Sequence, residues 1–274
     1  MALKSILAAY VGDAAGSGGL MLASHMARKY DAHLTGVVWH GPSPLEHRFH
    51  RYITKEVRDA ISSREDEIVA GIRADFQSRI SDEGLDGRTH FIDLRSDSDF
   101  SLASCARRYD ITVIGHRASA LGRNQFSVRP DVVALRSGKP VVVVPPAFDP
   151  AKLGTHALVA WDGKRSAARA LGDALHILAT KEQVTVLTIG EPPADELGDG
   201  PVDLLARHGI RAERLIRPEA SGGVAATILA ACAETRAGLL IMGAYEHSKF
   251  AEDLLGGVTR NILNAAELPI LMSH

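Results

Sequence analysis

Residues 237–274 read AGLLIMGAYEHSKFAEDLLGGVTRNILNAAELPILMSH, and they contain the clearest alternation of strand and helix patterns in the chain. A short apolar run, residues 239–242, ends at Gly243, which is typical of a strand buried on both faces of a parallel sheet. A polar loop, residues 244–255, leads to the pair Gly256 and Gly257 and then to a helical pattern. We therefore predict a strand, a loop, a helix and a final apolar strand.

The glycine pair lies where the predicted helix begins. Because glycine has no Cβ, the backbone N–H groups of Gly256 and Gly257 can approach a ligand closely. The N-terminus of a helix binds anions, and phosphate is a common one. The pair therefore indicates a phosphate site, with the open alternative that the two glycines only shape the turn.

The composition is that of a globular protein with an ample core. The chain has 274 residues, of which 46% are hydrophobic and 23% charged, and its net charge is −2. This balance gives no reason to expect nucleic acid or an anionic membrane as a partner, and no apolar run approaches the ~20 residues of a membrane helix. We see no signal-peptide pattern, and two cysteines, Cys105 and Cys232, make no disulfide or metal framework. We predict a cytoplasmic protein.

Strand and helix patterns alternate along the chain, pass through a proline-rich linker at residues 146–150, and then start again. Landmarks recur at matching places in the two series: a strand ends at Gly115 in the first and at Gly243 in the second, and a cysteine precedes each of these strands. Such a repeat indicates a duplication. We predict two domains, residues 1–146 and 153–274.

Alternating strands and helices predict an α/β fold with parallel sheets and right-handed crossovers. We expect two doubly wound five-stranded sheets, each with strand order 3-2-1-4-5. Ligands of such sheets bind at the carboxyl ends of the strands where the winding reverses, here between strands one and four. In the second domain these strands end at Asp162 and Gly243, so residues distant in sequence converge there.

The fifth strand of each domain, residues 140–145 and 268–273, is strongly apolar and would form a bare sheet edge. Bare apolar edges pair with other strands. We therefore expect the two domains to pair within the chain as a pseudo-dimer, with a homodimer of chains as a further alternative.

Two weaker patterns stand outside this scheme. Residues 12–19 are rich in glycine and resemble a phosphate loop. A long charged helix is predicted over residues 45–83, and on it His47 and His50 are a candidate metal-ligand pair against the alternative of a solvated helix face. No metal site is predicted.

Residues 158–163, 241–248 and 256–260 resemble the universal stress protein family in its tandem form. The nucleotide motif of that family is a Gly, two residues, a Gly, nine residues, and then Gly with Ser or Thr. Here Gly243 and Gly256 match the motif, whereas Glu246 and Gly257 depart from it.

The resemblance implies a site for ATP, with or without Mg²⁺, in the second domain. An adenine pocket is implied at the first four of the following positions and phosphate contacts at the rest: Ala160, Asp162, Ile189, Met242, Gly243, Gly256, Gly257, Val258 and Thr259. Glu246 opposes this, because a carboxylate near a polyphosphate is repelled by ~1 kcal/mol or more unless Mg²⁺ or Lys249 offsets it.

The first domain departs further from the motif. Val11 stands where the second domain has its acid, and residues 127–130 replace the glycine pair. We expect this half not to bind ATP in the manner of the family. Arg117, Arg123 and Arg129 could hold another anion, with solvated loop charges as the alternative.

The leading hypothesis is a nucleotide-responsive stress-response protein that regulates an unknown protein partner and has no robust catalysis of its own. A slow ATPase or nucleotide-transfer enzyme, with His247 as base, is the first alternative, although neither a phosphate-binding P-loop nor a nucleophile elbow is present. A scaffold that binds no nucleotide is the second.

Overall fold

The computed structural model describes residues 3–41, 54–96, 98, 100–116, 126, 128–146, 148–192, 200–244 and 257–274. Over these residues the chain forms ten β-strands and eight α-helices, with a short 3₁₀ turn at Pro150–Leu153. No helix within these ranges is long and apolar enough to cross a membrane.

The strands are β1 (Ser5–Ala9), β2 (His33–His40), β3 (Thr89–Arg95), β4 (Ile111–Gly115), β5 (Val141–Val144), β6 (His156–Ala160), β7 (Gln183–Ile189), β8 (Ala212–Arg217), β9 (Leu239–Gly243) and β10 (Ile270–Ser273). The helices are α1 (Ala14–Tyr30), α2 (Lys55–Ile80), α3 (Ser101–Ala106), α4 (Pro130–Ser137), α5 (Arg165–Leu178), α6 (Pro201–Arg207), α7 (Gly223–Thr235) and α8 (Gly257–Ala265).

All ten strands belong to one sheet, in the order β3-β2-β1-β4-β5-β10-β9-β6-β7-β8. Each half has the predicted order 3-2-1-4-5 and parallel pairing, so the predicted α/β fold and its duplication are confirmed. The expected pairing of the two halves through their fifth strands is confirmed, because β5 and β10 pair antiparallel and join the two five-stranded sheets into one continuous sheet. The domain limits 1–146 and 153–274 stay a prediction.

The seam, meaning the antiparallel pairing of β5 with β10, is buried from solvent. Every residue of both strands is buried, and Val142 lies opposite Leu271 in the ladder. Burying one valine, leucine or isoleucine side chain contributes about 1.5–3 kcal/mol relative to leaving it in water. The apolar edges that the sequence shows are therefore covered by each other.

Helices cover both faces of the sheet. Side chains from α1, α2 and α5 form one apolar core, and side chains from α3, α4, α7 and α8 form the other. Successive residues of a strand point to opposite faces, so Ala8 joins the first core and Ala9 the second. Both cysteines, Cys105 and Cys232, are buried and free, and burial raises the pKa of the Cys232 thiol to about 12.

The prediction of a phosphate loop at residues 12–19 is wrong, because α1 begins at Ala14 and contains most of these glycines. The side chain of Asp13 accepts a hydrogen bond from the Gly16 amide at 2.7 Å and so caps the helix. A Cβ on Gly19 would lie 2.8 Å from the backbone nitrogen of Gly115. Glycine is used here to bring the helix against the end of β4.

The predicted long helix is described in part, since residues 45–53 lie outside the described residues and the helix ends at Ile80 rather than at residue 83. α2 spans Lys55–Ile80, with Thr54 as its N-cap, and it buries a stripe that includes Ile72 and Phe76. The candidate metal ligands His47 and His50 lie outside the described residues.

The close contact between Gly19 and Gly115 predicts whether a glycine-to-alanine substitution raises or lowers the free energy of unfolding. In an exposed helix, Gly→Ala stabilises by about 0.5–1 kcal/mol, and we expect this for Gly172→Ala in α5, where a Cβ meets nothing within 4 Å. For Gly19→Ala we expect a loss of about 1–3 kcal/mol, because the backbone of Gly115 must move. Urea denaturation of both variants measures this; equal stabilisation of the two would contradict the contact.

A second prediction concerns Lys181, whose ammonium donates hydrogen bonds to the carbonyl oxygens of Gly154 at 2.8 Å and Leu153 at 3.4 Å. Burial, with a contribution from nearby Lys29, lowers the pKa of Lys181 from 10.5 to about 8. Between these values the unfolded chain binds more protons than the folded one, so the lysine costs stability at neutral pH and this cost falls as pH rises.

The free energy of unfolding of the wild type, minus that of Lys181→Met, should therefore rise from pH 7.5 to pH 9.5. Urea denaturation at constant ionic strength measures this difference. A difference that stays constant with pH would show that the Lys181 ammonium is not desolvated.

Candidate functional site

A cavity of about 390 Å³ lies at the carboxyl ends of β6, β7 and β9, beside the N-terminal parts of α5, α7 and α8. Its apolar lining residues include Ala160, Leu187, Ile189, Val224, Ile228 and Met242. Its polar lining residues are Asp162, Lys164, Ser166 and Thr259. A largely apolar lining with a few polar groups is the usual composition of a small-molecule site.

Eight of the nine residues that the sequence singled out line this cavity: Ala160, Asp162, Ile189, Met242, Gly243, Gly257, Val258 and Thr259. The ninth, Gly256, lies outside the described residues, as do Glu246, His247 and Lys249. The structure thus brings the described candidates together at one place, while their part in binding a nucleotide stays a prediction.

Sequence reasoning missed several residues of the cavity. Lys164 and Ser166 follow Asp162 at the beginning of α5. They were missed because the sequence was examined for hydrogen-bond acceptors and glycines near the strand ends. Val224 and Ile228 are one helical turn apart on α7, and their i,i+4 spacing is the signal that could have placed them on one face.

Asp162 contributes to both the fold and the cavity. Its Oδ1 accepts a hydrogen bond from the Lys164 amide at 3.0 Å, which shapes the turn that leads into α5. Its Oδ2 lies 3.9 Å from the Lys164 ammonium nitrogen, and its side chain is 52% exposed. One carboxylate oxygen therefore supports the backbone, and the other can accept a hydrogen bond from a ligand hydroxyl or amine.

The glycines of the cavity have different roles. A Cβ on Gly243 would lie 2.6 Å from the Ala167 nitrogen and 2.7 Å from the Ser166 hydroxyl, so glycine is needed there to seat α5 against β9. A Cβ on Gly257 would meet no atom of the described residues within 4 Å. Packing therefore accounts for Gly243, whereas packing against the described part of the chain does not account for glycine at Gly257, the first residue of α8.

Three helices, α5, α7 and α8, begin beside this cavity, and none carries an acidic residue in its first turn. The N-terminus of a helix carries a partial positive charge, which Asp or Glu usually balances. At α5 the N-cap is Lys164 and the first helical residue is Arg165, so both side chains have the same sign of charge as the helix end. The helix ends therefore contribute positive partial charges to the surroundings of the cavity.

The matching place in the first half is built differently. The α1 N-terminus already holds the Asp13 carboxylate, and Gly12 lies against Ile72 of α2. The Tyr10 hydroxyl also donates to Asp75 of α2. Helix α2 thus packs against the carboxyl end of β1.

Of the three arginines proposed as a second anion site, the structure describes only Arg129. Arg129 pairs with Asp131 at 2.8 Å, whereas Arg117 and Arg123 lie outside the described residues. Within the described ranges, no group of three or more His, Cys, Asp or Glu side chains could hold a metal ion.

Comparison with known proteins agrees with this architecture. Residues 155–274 match the model of the universal stress protein family. A universal stress protein from Archaeoglobus fulgidus DSM 4304 is 16% identical with a TM-score of 0.74, over 98% of this chain and 95% of that chain. A putative universal stress protein from Pseudomonas aeruginosa UCBPP-PA14 is 16% identical with a TM-score of 0.57, over 99% of this chain and 93% of that chain.

A third similar structure is a universal stress protein in complex with cAMP, which is 18% identical with a TM-score of 0.38, over 54% of this chain and 100% of that chain. No curated protein sequence matches the chain.

The double use of Asp162 predicts how two substitutions differ in stability. Asp162→Asn keeps a side-chain oxygen for the Lys164 amide, so we expect the free energy of unfolding to change by less than about 0.5 kcal/mol. Asp162→Ala removes the acceptor and should cost about 1 kcal/mol. Urea denaturation of the wild type and the two variants measures these free energies of unfolding. Equal losses of stability in both variants would contradict the role of the Asp162 side chain in the turn.

Proposed function

We propose that the protein binds ATP in the cavity of its second half, because residues 155–274 match the model of the universal stress protein family and the first half repeats the same fold. The observation that carries the proposal is the cavity itself, which measures about 390 Å³ and has apolar side chains, an acid and a lysine in its lining. Adenine is a flat, largely apolar ring, and the phosphates are anionic. The lining offers apolar contacts for the base and polar groups for the rest of the nucleotide.

The base would lie against the apolar wall, between Ile189 and Met242. Asp162 would accept a hydrogen bond from a sugar hydroxyl or from the exocyclic amine. The phosphates would then lie toward the beginning of α8, where Gly257 leaves the backbone accessible and the Thr259 hydroxyl lines the cavity. Mg²⁺ would arrive with the nucleotide, since ATP phosphates supply ligands of the kind it prefers.

We propose that the role is regulatory rather than catalytic, and that it is exercised on a protein partner in the cytoplasm. Among the described residues that line the cavity there is no histidine or cysteine, and Asp162 is their only acid. General acid–base chemistry needs a positioned group with a matched pKa, and nucleophilic chemistry needs a base beside the nucleophile. These residues fit binding better than turnover.

Calorimetric titration with ATP and Mg²⁺ tests the proposal. We expect a single site in the wild type and at least about tenfold weaker binding in Asp162→Asn, because a hydrogen-bond acceptor is lost. Ala160→Phe places a ring in the cavity and should abolish binding. The matched control for the lost charge is Glu234→Gln, at the far end of α7, which should bind as the wild type does.

Two results would contradict a nucleotide site here: no binding heat from the folded wild type, or unchanged affinity in both Asp162→Asn and Ala160→Phe. Thermal unfolding of each variant establishes that a lost signal is not a loss of fold.

A further inference from the structure

A second, much smaller cavity lies between α1 and α5, beside the connection that joins the two halves. It measures about 20 Å³, and its polar lining residues are His25, Lys29, Tyr30, Thr180 and Lys181. A cavity needs about 10–15 Å³ to hold one water molecule, so this one admits only a molecule of a few atoms. No described residue of its lining carries a carboxylate.

Two lysine side chains meet at this cavity. Lys29 Nζ donates a hydrogen bond to Thr180 Oγ1 at 2.9 Å, and Lys181 Nζ donates to the carbonyl oxygens of Gly154 at 2.8 Å and Leu153 at 3.4 Å. Within the part of the chain that the structure describes, neither ammonium group forms an ion pair. Two like charges in a partly buried site repel, and the repulsion ends when one of them is lost.

Lys181 is the lysine that loses its charge more easily. Burial, followed by repulsion from Lys29, lowers the pKa of Lys181 from 10.5 to about 8. At pH 8 about half of the folded molecules therefore carry a neutral amine there, against about one in three hundred unfolded chains. A neutral amine has two N–H donors, which match its two carbonyl acceptors, and a lone pair that can form a new bond.

We propose that Lys181 reversibly forms a carbamate with carbon dioxide, and that Lys29 is the cation that stabilises the product. The nitrogen lone pair forms a bond to the carbon of CO₂, one C=O π pair moves onto oxygen, and the nitrogen releases one proton to water. No oxidant or further reactant is needed. The product keeps one N–H for the Gly154 carbonyl and places a negative charge near Lys29 in place of a positive one.

The size and the charge of the site both suit CO₂. It is a neutral linear molecule of three atoms, whereas acyl phosphates and acyl thioesters are far larger than a cavity of about 20 Å³. The carbamate is an anion, and Lys29 supplies the opposite charge that a partly buried anion needs. His25 lines the same cavity, but burial lowers its pKa and so reduces its positive charge.

The test equilibrates the folded protein with ¹³C-labelled CO₂ and bicarbonate at pH 8 and follows the carbamate carbon by NMR. Alkylation with a trialkyloxonium salt then traps the carbamate, and peptide mass spectrometry locates it. We expect at least about tenfold more carbamate on Lys181 than on exposed Lys152, since an ordinary lysine amine is almost entirely protonated at this pH.

Three variants, each checked for folding by thermal unfolding, sharpen the test. Lys181→Met should remove the NMR signal of this site, whereas the matched control Lys152→Met should leave it unchanged. Lys29→Gln should lower the carbamate on Lys181 about threefold or more, because the anion loses the nearby cation. Unfolding the wild type in urea should reduce the carbamate on Lys181 to the level of Lys152.

The inference is overturned if the folded wild type carries no more carbamate on Lys181 than on Lys152, or if the excess persists in urea. An unchanged signal in Lys181→Met, or an unchanged amount in Lys29→Gln, overturns it as well. The α-amino group of the chain, a type of amine with an ordinary pKa near 8, forms a carbamate under the same conditions and shows that the reaction and the trapping worked.

Discussion

The antiparallel hydrogen bonds between β5 and β10 hold the two halves of the molecule together. They join two five-stranded sheets into one, and all eight residues of the two strands are buried. Since an exposed apolar edge invites association with other chains, this pairing removes such an edge from each half. The short connection through Pro150–Leu153 and the Lys181 contacts to it hold the same junction from one side.

The antiparallel seam also fixes where a ligand can sit. Strands within each half are parallel and the two halves run in opposite directions, so the carboxyl ends of their strands lie at opposite ends of the common sheet. In the second half the cavity lies at these strand ends, between α5, α7 and α8. In the first half α2 packs against the corresponding end, with Ile72 against Gly12, and the helix N-terminus is occupied by Asp13. The two copies of one fold thus differ in the groups that face a ligand.

The sequence predicted the sheet well because buried parallel strands are short, continuous apolar runs, and β4 begins and ends where its apolar run does. The start of α1 was missed, since glycines near a strand end suggest a loop, whereas the close approach of Gly18 to Phe148 and of Gly19 to Gly115 accounts for glycine within a helix. The candidate ligand residues were gathered by the resemblance and by topology together. Lys164 was not, because its place in the cavity follows from its position at the N-cap of α5, which a linear pattern does not display.

Covalent linkage of the two halves has an evolutionary consequence. When identical subunits assemble, every substitution appears in all copies at once, so an edge that binds ligand cannot be remodelled in one copy and kept in the other. Here β5 and β10 have separate sequences within one chain. Because the chain links them, their effective concentration for each other does not depend on protein concentration. The strand ends of one half can thereby change without the same change appearing in the other half.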